Sequence, residues 1–115
     1  MNLWQTDQIQ PENRVVLEGE TIPALFWKAV EQRSDGIWLR QKELGIWRSQ
    51  SWREVGEAVR EIAGGLLSLG LARGEVVSIL ANTRREWVMS DLAVLSCAAV
   101  ANGIYPTDAA AQVQY

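Results

Sequence analysis

Apolar residues recur at helical spacing from residue 22 onward. Positions 22, 25, 26, 29 and 30 are apolar and would lie on one face of an α-helix. Thr21 stands directly before them as an N-cap, and Pro23 falls in the first turn, where its missing N–H costs little. The residues before Thr21 show no such period. The pattern therefore predicts an extended lead-in over residues 1–20 and a folded region over residues 21–115.

The next two apolar-rich runs are short and β-like. They cover residues 37–42 and 46–50, and the three residues between them end in Gly45. A short connection with glycine, between runs that contain isoleucine and tryptophan, predicts a β-hairpin. Ser51 and Glu54 then have the spacing of a capping box, and apolar positions continue at helical spacing behind them. This pattern predicts a long helix that ends at Gly70.

Two glycines, Gly64 and Gly65, lie inside this long helix. Each costs about 1 kcal/mol relative to alanine in a helix interior. A close approach of another backbone would explain why glycine stands there, so we expect such a contact at both positions.

The second half of the folded region alternates strand-like and helix-like segments. Residues 76–81 form a β-rich run, and Thr83 and Glu86 again have capping-box spacing. A helix is predicted over residues 84–101, because the sequence is amphipathic at first and apolar on nearly every side from residue 92 onward.

A further extended run begins at Ile104, and Thr107 or Asp108 would cap a last helix. Strand, helix and strand in this order predict a βαβ unit, whose two strands lie parallel. The predicted fold class is α/β, with a β-hairpin and one βαβ unit of a parallel sheet flanked by helices. The chain stops inside a helix and offers only two parallel strands, so we expect an incomplete piece of a larger domain.

Composition narrows the classes of function. The chain of 115 residues has a net charge of −3 and a pI near 4.9, which disfavours nucleic acid as a partner. It contains no histidine, so histidine triads and histidine-ligated metals are excluded within it. The single cysteine, Cys97, cannot form an internal disulfide, and its apolar neighbours favour an inert core thiol.

The longest apolar stretch, residues 92–101, is broken only by Ser96. A membrane span needs about 20 residues, so the stretch predicts a buried helix and not an anchor. Residues 1–10 have neither a basic start nor an apolar run, and they predict no secretory signal. Together these features favour a cytoplasmic location.

The turn after the first parallel strand is a place where α/β proteins often bind phosphate. Such a loop needs glycines so that backbone N–H groups can approach the anion, and residues 81–85 contain none. Arg84 and Arg85 could meet an anion at the helix start, but cations there oppose the helix dipole. We expect them to be solvated side chains beside a helix cap.

Three glutamates, Glu54, Glu57 and Glu61, would lie on one side of the long helix. A metal site or an acid–base pair is one interpretation of such carboxylates. Arg53 and Arg60 lie within one helical turn of Glu57, so surface ion pairing is the better interpretation.

Three tryptophans, Trp38, Trp47 and Trp52, cluster around the predicted hairpin. They could stack a ligand, although packing in a core or an interface is the commoner use of tryptophan. Residue types alone therefore assign no catalytic residue, no cofactor-binding residue and no metal ligand.

Short sequence pieces keep a recognisable order and spacing along the chain. They are Ser51-Trp52-Arg53-Glu54, Ala63-Gly64-Gly65-Leu66, Gly74-Glu75-Val76-Val77, Asn82-Thr83-Arg84, Asp91-Leu92-Ala93 and Ile104-Tyr105-Pro106-Thr107. In this order they resemble the N-terminal region of AMP-forming acyl-CoA synthetases, the adenylate-forming ligases, and above all their bacterial long-chain fatty acid branch. The resemblance covers about residues 21–115, and it departs from the usual Ala-Glu-Gln-Val at Ala111.

The resemblance implies a fold and a reaction. Members of the family have a large N-terminal domain of parallel sheets and helices and a small mobile C-terminal domain. They join a carboxylic acid to ATP as an acyl-adenylate, release pyrophosphate, and transfer the acyl group to coenzyme A, with Mg²⁺ accompanying the ATP. The expectation is an N-terminal fragment of the AMP-binding domain of a long-chain fatty acid–CoA ligase.

The family's phosphate loop, its ribose-binding aspartate and its catalytic lysine all belong to segments after residue 115. The resemblance therefore places no catalytic, cofactor-binding or metal-binding residue in this chain. The 115 residues alone are expected to be inactive and to bind none of the cofactors of the parent enzyme, which are ATP, Mg²⁺ and coenzyme A.

Two other functions stay open at this stage. One is a different adenylate-forming ligase, such as an aryl- or medium-chain acyl-CoA synthetase, because the acid-selecting pocket is not in view. The other is a stand-alone binding or scaffold module without chemistry. The resemblance implies small-molecule partners, namely fatty acid, ATP and coenzyme A, and it leaves room for a peripheral membrane contact and a homodimer.

Overall fold

Four helices and four strands make up residues 21–114, which are the residues that the computed structural model describes. In chain order they are α1 (Ile22–Arg33), β1 (Ile37–Glu43), β2 (Ile46–Ser51), α2 (Trp52–Ser68), β3 (Val76–Leu80), α3 (Arg85–Ser96), β4 (Val100–Ile104) and α4 (Ala110–Val113). The predicted α/β order of helix, hairpin, helix and βαβ unit is confirmed. The lead-in predicted over residues 1–20 lies outside the described residues.

Helix α1 begins where its sequence signals place it. The Thr21 side chain accepts a hydrogen bond from the backbone N–H of Ala24 at 3.2 Å, so Thr21 is the N-cap. Proline occupies the first turn, as the sequence predicts. Phe26 is the buried residue of this helix and points into the core.

Strands β1 and β2 form the predicted antiparallel hairpin, but the turn is shorter than expected. Glu43 still pairs with Ile46, so the connection has two residues, Leu44 and Gly45, where the sequence suggested three. Both have positive φ, 49° and 80°, as a two-residue hairpin turn with the twist of its strands requires. Glycine adopts this conformation freely, whereas leucine is rare there.

Helix α2 has both of its predicted ends. Ser51 and Glu54 form the capping box. The backbone N–H of Glu54 donates to the Ser51 hydroxyl oxygen at 3.2 Å, and the backbone N–H of Ser51 donates to the Glu54 carboxylate at 2.8 Å. At the other end Gly70 has φ 96°, its N–H donates to the Leu67 carbonyl, and the N–H of Leu71 donates to the Leu66 carbonyl. These two bonds define the Schellman motif, which satisfies carbonyls at the helix end.

The prediction that another backbone approaches Gly64 and Gly65 is wrong within the described residues. A Cβ atom added at either glycine would meet no atom within 4 Å. The close approach in α2 is at Gly56, where an added Cβ would lie 2.9 Å from Val30 Cγ1. Gly56 therefore lets α1 pack against α2.

Strands β3 and β4 pair in parallel, and α3 crosses between them, which confirms the βαβ unit; the second strand, however, was expected to begin at Ile104, where β4 ends. The register runs from Val76 opposite Val100 to Leu80 opposite Ile104. The hairpin and this pair are separate two-stranded sheets within residues 21–114.

The prediction of a helix over residues 84–101 extends beyond the C-terminal end of the actual helix, α3. Helix α3 stops at Ser96, because Ala98 has φ 55° and turns the chain into β4. The N–H of Ala98 donates to the Leu95 carbonyl and the N–H of Ala99 donates to the Val94 carbonyl, as in a Schellman motif. Alanine takes the place of the usual glycine, at a cost of about 1–2 kcal/mol, so no sequence signal marked this end.

Two predicted helix caps are also wrong. The N-cap of α3 is Arg84, without a cap from its side chain, so Thr83 and Glu86 form no capping box. The N-cap of α4 is Ala109 and neither Thr107 nor Asp108. The Asp108 carboxylate instead accepts from the backbone N–H of Tyr105 at 3.1 Å and stabilises the turn before α4.

The core lies where α1, α2 and α3 meet under the hairpin. Its buried members are Phe26, Val55, Val59, Met89, Leu92 and Ala93. An aromatic layer joins this core to the hairpin, since Trp38 and Trp52 stack at 4.3 Å and Phe26 lies 5.5 Å from Trp38. Hydrophobic burial is the main stabilising force of such a small fold.

Candidate functional site

A cleft opens at the carboxyl ends of the two parallel strands. It has a volume of about 510 Å³ and is lined by Ala81, Asn82, Thr83, Trp87, Gly103, Ile104, Tyr105, Pro106 and Thr107. In open α/β sheets, ligands bind in the crevice outside the carboxyl ends of the strands. This cleft is therefore the candidate site of the described chain.

Trp87 and Gly103 shape the wall of the cleft that α3 and β4 share. A Cβ atom at Gly103 would lie 3.3 Å from Trp87 Cζ2, so glycine lets the indole ring pack against the strand end. The lining offers hydroxyl and amide groups beside aromatic and aliphatic surface. None of the lining residues has a carboxylate, ammonium, guanidinium or thiol group, so the polar groups of the cleft are the hydroxyls of Thr83, Tyr105 and Thr107 and the amide of Asn82.

The start of α3 borders the cleft, and its first N–H group is already satisfied. The backbone N–H of Arg85 donates to Gln41 Oε1 at 2.9 Å, across from the hairpin. Gln41 Nε2 in turn donates to Glu43 Oε1 at 3.0 Å. A side chain therefore occupies the position that a phosphate takes at other helix starts.

Arg84 and Arg85 are both ion-paired; Arg84 is also solvated as expected, since its side chain is 56% exposed, whereas for Arg85 the expectation is wrong. Arg85 contacts Glu43 at 3.2 Å and Glu86 at 3.1 Å, and its side chain is only 26% exposed. Arg84 contacts Glu86 at 3.1 Å. Both guanidinium groups are thus engaged with carboxylates and do not point a free charge at the cleft.

The residues of the cleft do not fit a nucleoside triphosphate with its metal. The lining has neither a glycine-rich loop nor a cationic side chain for the phosphates. Within residues 21–114 no group of three or more histidine, cysteine, aspartate or glutamate side chains could hold a metal ion. No step of a reaction with ATP can be derived from these residues.

Comparison with known proteins identifies the family. The sequence profile of a family described as AMP-binding enzyme matches residues 26–115, which is most of the chain. The chain belongs to the AMP-binding enzyme family.

Curated relatives of this AMP-binding family member are named as ligases. The long-chain-fatty-acid–CoA ligase FadD15 of Mycobacterium bovis is 31% identical over 105 residues, and the alignment covers 91% of this chain and 18% of that protein. The long-chain-fatty-acid–CoA ligase ACSBG2 of Xenopus laevis is 33% identical over 122 residues, covering 100% of this chain and 16% of that protein. The chain thus spans less than a fifth of the length of these relatives.

Solved structures of adenylate-forming enzymes share the fold. The fatty acid AMP ligase from Legionella pneumophila superposes with a TM-score of 0.74 at 15% identity, over 81% of this chain and 16% of that one. The anthranilate CoA ligase AuaEII gives a TM-score of 0.75 at 22% identity, over 88% of this chain and 19% of that one. The predicted fold class, part of the large domain of an adenylate-forming enzyme, is confirmed.

Within residues 21–114 the glutamates singled out on α2 belong to no group of side chains that could hold a metal ion. Glu54 serves the capping box. Arg53, which was expected to pair with Glu57, instead contacts Asp35 at 2.7 Å. Arg60, expected to do the same, lies over the ring of Trp27 at 5.4 Å as a cation–π contact.

The tryptophans and the cysteine have mainly structural surroundings. Trp38 and Trp52 belong to the aromatic layer of the core, whereas Trp47 is 64% exposed and lies outside that layer. Cys97 is partly buried, and its thiol contacts the Ala63 carbonyl at 3.6 Å. The prediction that no residue here is catalytic, cofactor-binding or metal-binding stays a prediction.

Glu86 and Asp91, two carboxylates on α3, have opposite effects on how the stability of the chain changes with pH in the acid range. A hydrogen bond from its own backbone N–H is the main cause that lowers the pKa of Glu86 below 4.5; burial opposes it, and Arg85 and Arg84 lower the pKa further. Burial raises the pKa of Asp91 above 3.8. Glu86 therefore stabilises the fold above its ordinary pKa and loses this effect as the pH falls, whereas Asp91 destabilises it once charged.

Glu86→Gln is expected to lower the free energy of unfolding at pH 7 by less than about 1 kcal/mol, the scale of exposed ion pairs. The difference from wild type should shrink as the pH falls below 4.5, because the wild-type carboxyl is then protonated as well. Urea unfolding at a series of pH values measures it. Asp91→Asn is the matched control and should raise stability at pH 7; an equal loss in both variants would contradict the assignment.

No helix among the described residues is both long and apolar enough to cross a lipid bilayer.

Proposed function

We propose that the chain forms the N-terminal part of an AMP-forming long-chain fatty acid–CoA ligase. The ligase would couple a carboxylic acid to ATP as an acyl-adenylate and then transfer the acyl group to coenzyme A, in the cytoplasm. The observation that carries the proposal is the match of residues 26–115 to the AMP-binding family, together with relatives named as long-chain ligases at about a third identity.

The geometry of the cleft supports a binding and not a reacting role for these residues. The cleft stands at the ligand-binding edge of the parallel sheet, and its lining combines hydroxyl groups with aromatic and aliphatic surface. Since no carboxylate, ammonium, guanidinium or thiol group lines the cleft, we assign the chemistry of the ligase to other segments of the parent enzyme. Fatty acid, ATP and coenzyme A are then the partners of that enzyme, with Mg²⁺ as the companion of ATP.

Pyrophosphate release tests this proposal. The product of the complete open reading frame that contains this chain and the 115-residue chain itself are each purified and incubated with ATP, Mg²⁺, coenzyme A and palmitate. The complete product should release pyrophosphate only when palmitate is present, and the chain alone should equal the blank without protein. Benzoate and anthranilate replace palmitate in parallel reactions.

Each other outcome overturns a defined part of the proposal. Faster turnover with an aromatic acid than with palmitate would make the parent an aryl-CoA ligase. No acid-dependent release from the complete product, or a reading frame that ends at Tyr115 with no release, would favour the binding module. Acid-dependent release by the chain alone, after a second purification, would refute the assignment of the chemistry to other segments.

A further inference from the structure

The step from Asn102 to Gly103 is the only place in the chain where glycine follows asparagine. An asparagine side-chain amide lies within reach of the next backbone nitrogen, and the side chain of the next residue normally hinders their approach. Glycine has no Cβ and adopts a wide range of φ and ψ, so it removes that hindrance. Both residues are exposed in β4, and Gly103 also lines the cleft.

The backbone N–H of Gly103 points to the open edge of β4. The N–H of Val100 donates to the Glu75 carbonyl at 2.8 Å, on the side of β3. Because successive N–H groups of a strand point to opposite edges, the N–H of Asn102 also faces β3, and that of Gly103 faces away from it. Within residues 21–114 the parallel sheet consists of β3 and β4, so no strand there binds the Gly103 nitrogen.

The Asn102 side chain is held by a single exposed hydrogen bond. Its Nδ2 donates to Ser78 Oγ at 3.3 Å, from the position opposite Ser78 in the register of the two strands. Strand β4 has five residues and one partner strand among the described residues, and segments with so few bonds open locally at low free energy. Local opening lets ψ of Asn102 leave the extended range, which brings the amide carbon to the next nitrogen.

The step from Asp35 to Gly36 shows the opposite arrangement. It is the only aspartate followed by glycine in the chain, and the same ring could close there. The N–H of Gly36 donates to the Arg33 carbonyl at 2.6 Å, and the Asp35 carboxylate contacts Arg53 at 2.7 Å. Both reacting groups are therefore engaged at this step, whereas the nitrogen after Asn102 is not.

We propose that Asn102 is a site of spontaneous deamidation. Base removes the proton of the Gly103 N–H, and the nitrogen attacks Cγ of Asn102. The new N–Cγ bond closes a succinimide ring, the Cγ–Nδ2 bond breaks, and ammonia leaves with the returned proton. Water then opens the ring, at Cγ to give aspartate or at the main-chain carbonyl carbon to give isoaspartate.

The modification changes the cleft, because Gly103 and Ile104 belong to its wall. Either product places a carboxylate at residue 102, directly before these two residues. Isoaspartate also adds a methylene group to the backbone of β4, which breaks the match of its N–H and C=O groups with those of β3. The modified chain should therefore melt at a lower temperature than the fresh chain.

Peptide mass spectrometry of the 115-residue chain measures this step without ATP, acid or coenzyme A, so its result is independent of the proposed ligase function. The folded chain is kept at mildly alkaline pH, and samples taken over several days are digested with trypsin. Cleavage after Arg84 and Arg85 places Asn82 and Asn102 in different peptides. Asn102 should convert at least about tenfold faster than Asn82, which is also exposed but precedes threonine.

Two variants separate the causes. Gly103→Ala should slow conversion about tenfold, because its Cβ hinders the attack. Since this Cβ would lie 3.3 Å from Trp87, the variant is also compared with wild type in urea, where packing has no effect. Ser78→Ala should speed conversion about threefold in the folded chain, because it releases the amide.

Four results would each overturn the proposal. They are conversion of wild type in urea but not in the folded chain, a rate at Asn102 no higher than at Asn82, equal rates for Gly103→Ala and wild type in urea, and a Ser78→Ala chain that converts no faster than wild type. Formation of both aspartate and isoaspartate at residue 102 is the expected result, since it identifies the succinimide as the intermediate.

Discussion

Phe26→Ala is expected to lower the free energy of unfolding by about 3–5 kcal/mol, the usual range for removing a buried aromatic ring. Phe26 is only 6% exposed, and its ring lies 4.9 Å from Trp27 and 5.5 Å from Trp38. Its removal would leave a cavity between α1 and the aromatic layer. A domain with about 5–15 kcal/mol of total stability would lose at least a fifth of it, which urea unfolding followed by tryptophan fluorescence measures.

Phe26→Leu is the control for this prediction. Leucine keeps most of the buried apolar surface and loses the ring contacts, so the loss should be clearly smaller than for alanine. If Phe26→Ala costs less than about 1 kcal/mol, the ring cluster does not form the packed centre described above.

Gly56→Leu should cost about 3 kcal/mol through overpacking between α1 and α2. An added Cβ would lie 2.9 Å from Val30 Cγ1, 3.2 Å from its Cγ2 and 3.6 Å from Trp27 Cζ3. Because the two closest contacts are made by a branched, partly buried side chain, relief requires the helices to move apart. Thermal or urea unfolding measures the loss.

Gly64→Leu is the matched substitution in the same helix. Gly64 has no atom within 4 Å of an added Cβ, so leucine there should stabilise the chain by up to about 1 kcal/mol through helix propensity. The opposite signs of the two variants isolate packing from propensity. Equal effects at both positions would show that α1 does not pack against Gly56.

The features predicted correctly from the sequence are those with a local signature. The capping box of Ser51 and Glu54 and the helix end at Gly70 depend on residues within one turn of each other, and both form as predicted. The end of α3 was missed because Ala98, and not a glycine, takes the positive φ. Local patterns predict a conformation only when the residue that adopts it is the usual one.

In the candidate site, too, local sequence signals predict only part of the structure. The sequence suggests the turn after β3 as a phosphate site and argues against it for lack of glycines, yet Ala81, Asn82 and Thr83 of that turn line one wall of the cleft. The other wall, with Gly103 and Tyr105, exists only once β4 pairs in parallel with β3. Likewise, the partner of the first N–H of α3 is Gln41, which lies 44 residues earlier in the chain and carries no cap signature.

The hydrogen bond between Gln41 and the Arg85 amide couples two parts of the molecule that belong to separate sheets. When the hairpin opens locally, α3 loses the acceptor at its first N–H, and the Arg85 guanidinium loses Glu43 in the same event. Opening of the hairpin and loosening of the cleft wall are therefore expected to be coupled. Protection of the Arg85 amide from hydrogen exchange should report the free energy with which the hairpin holds to α3.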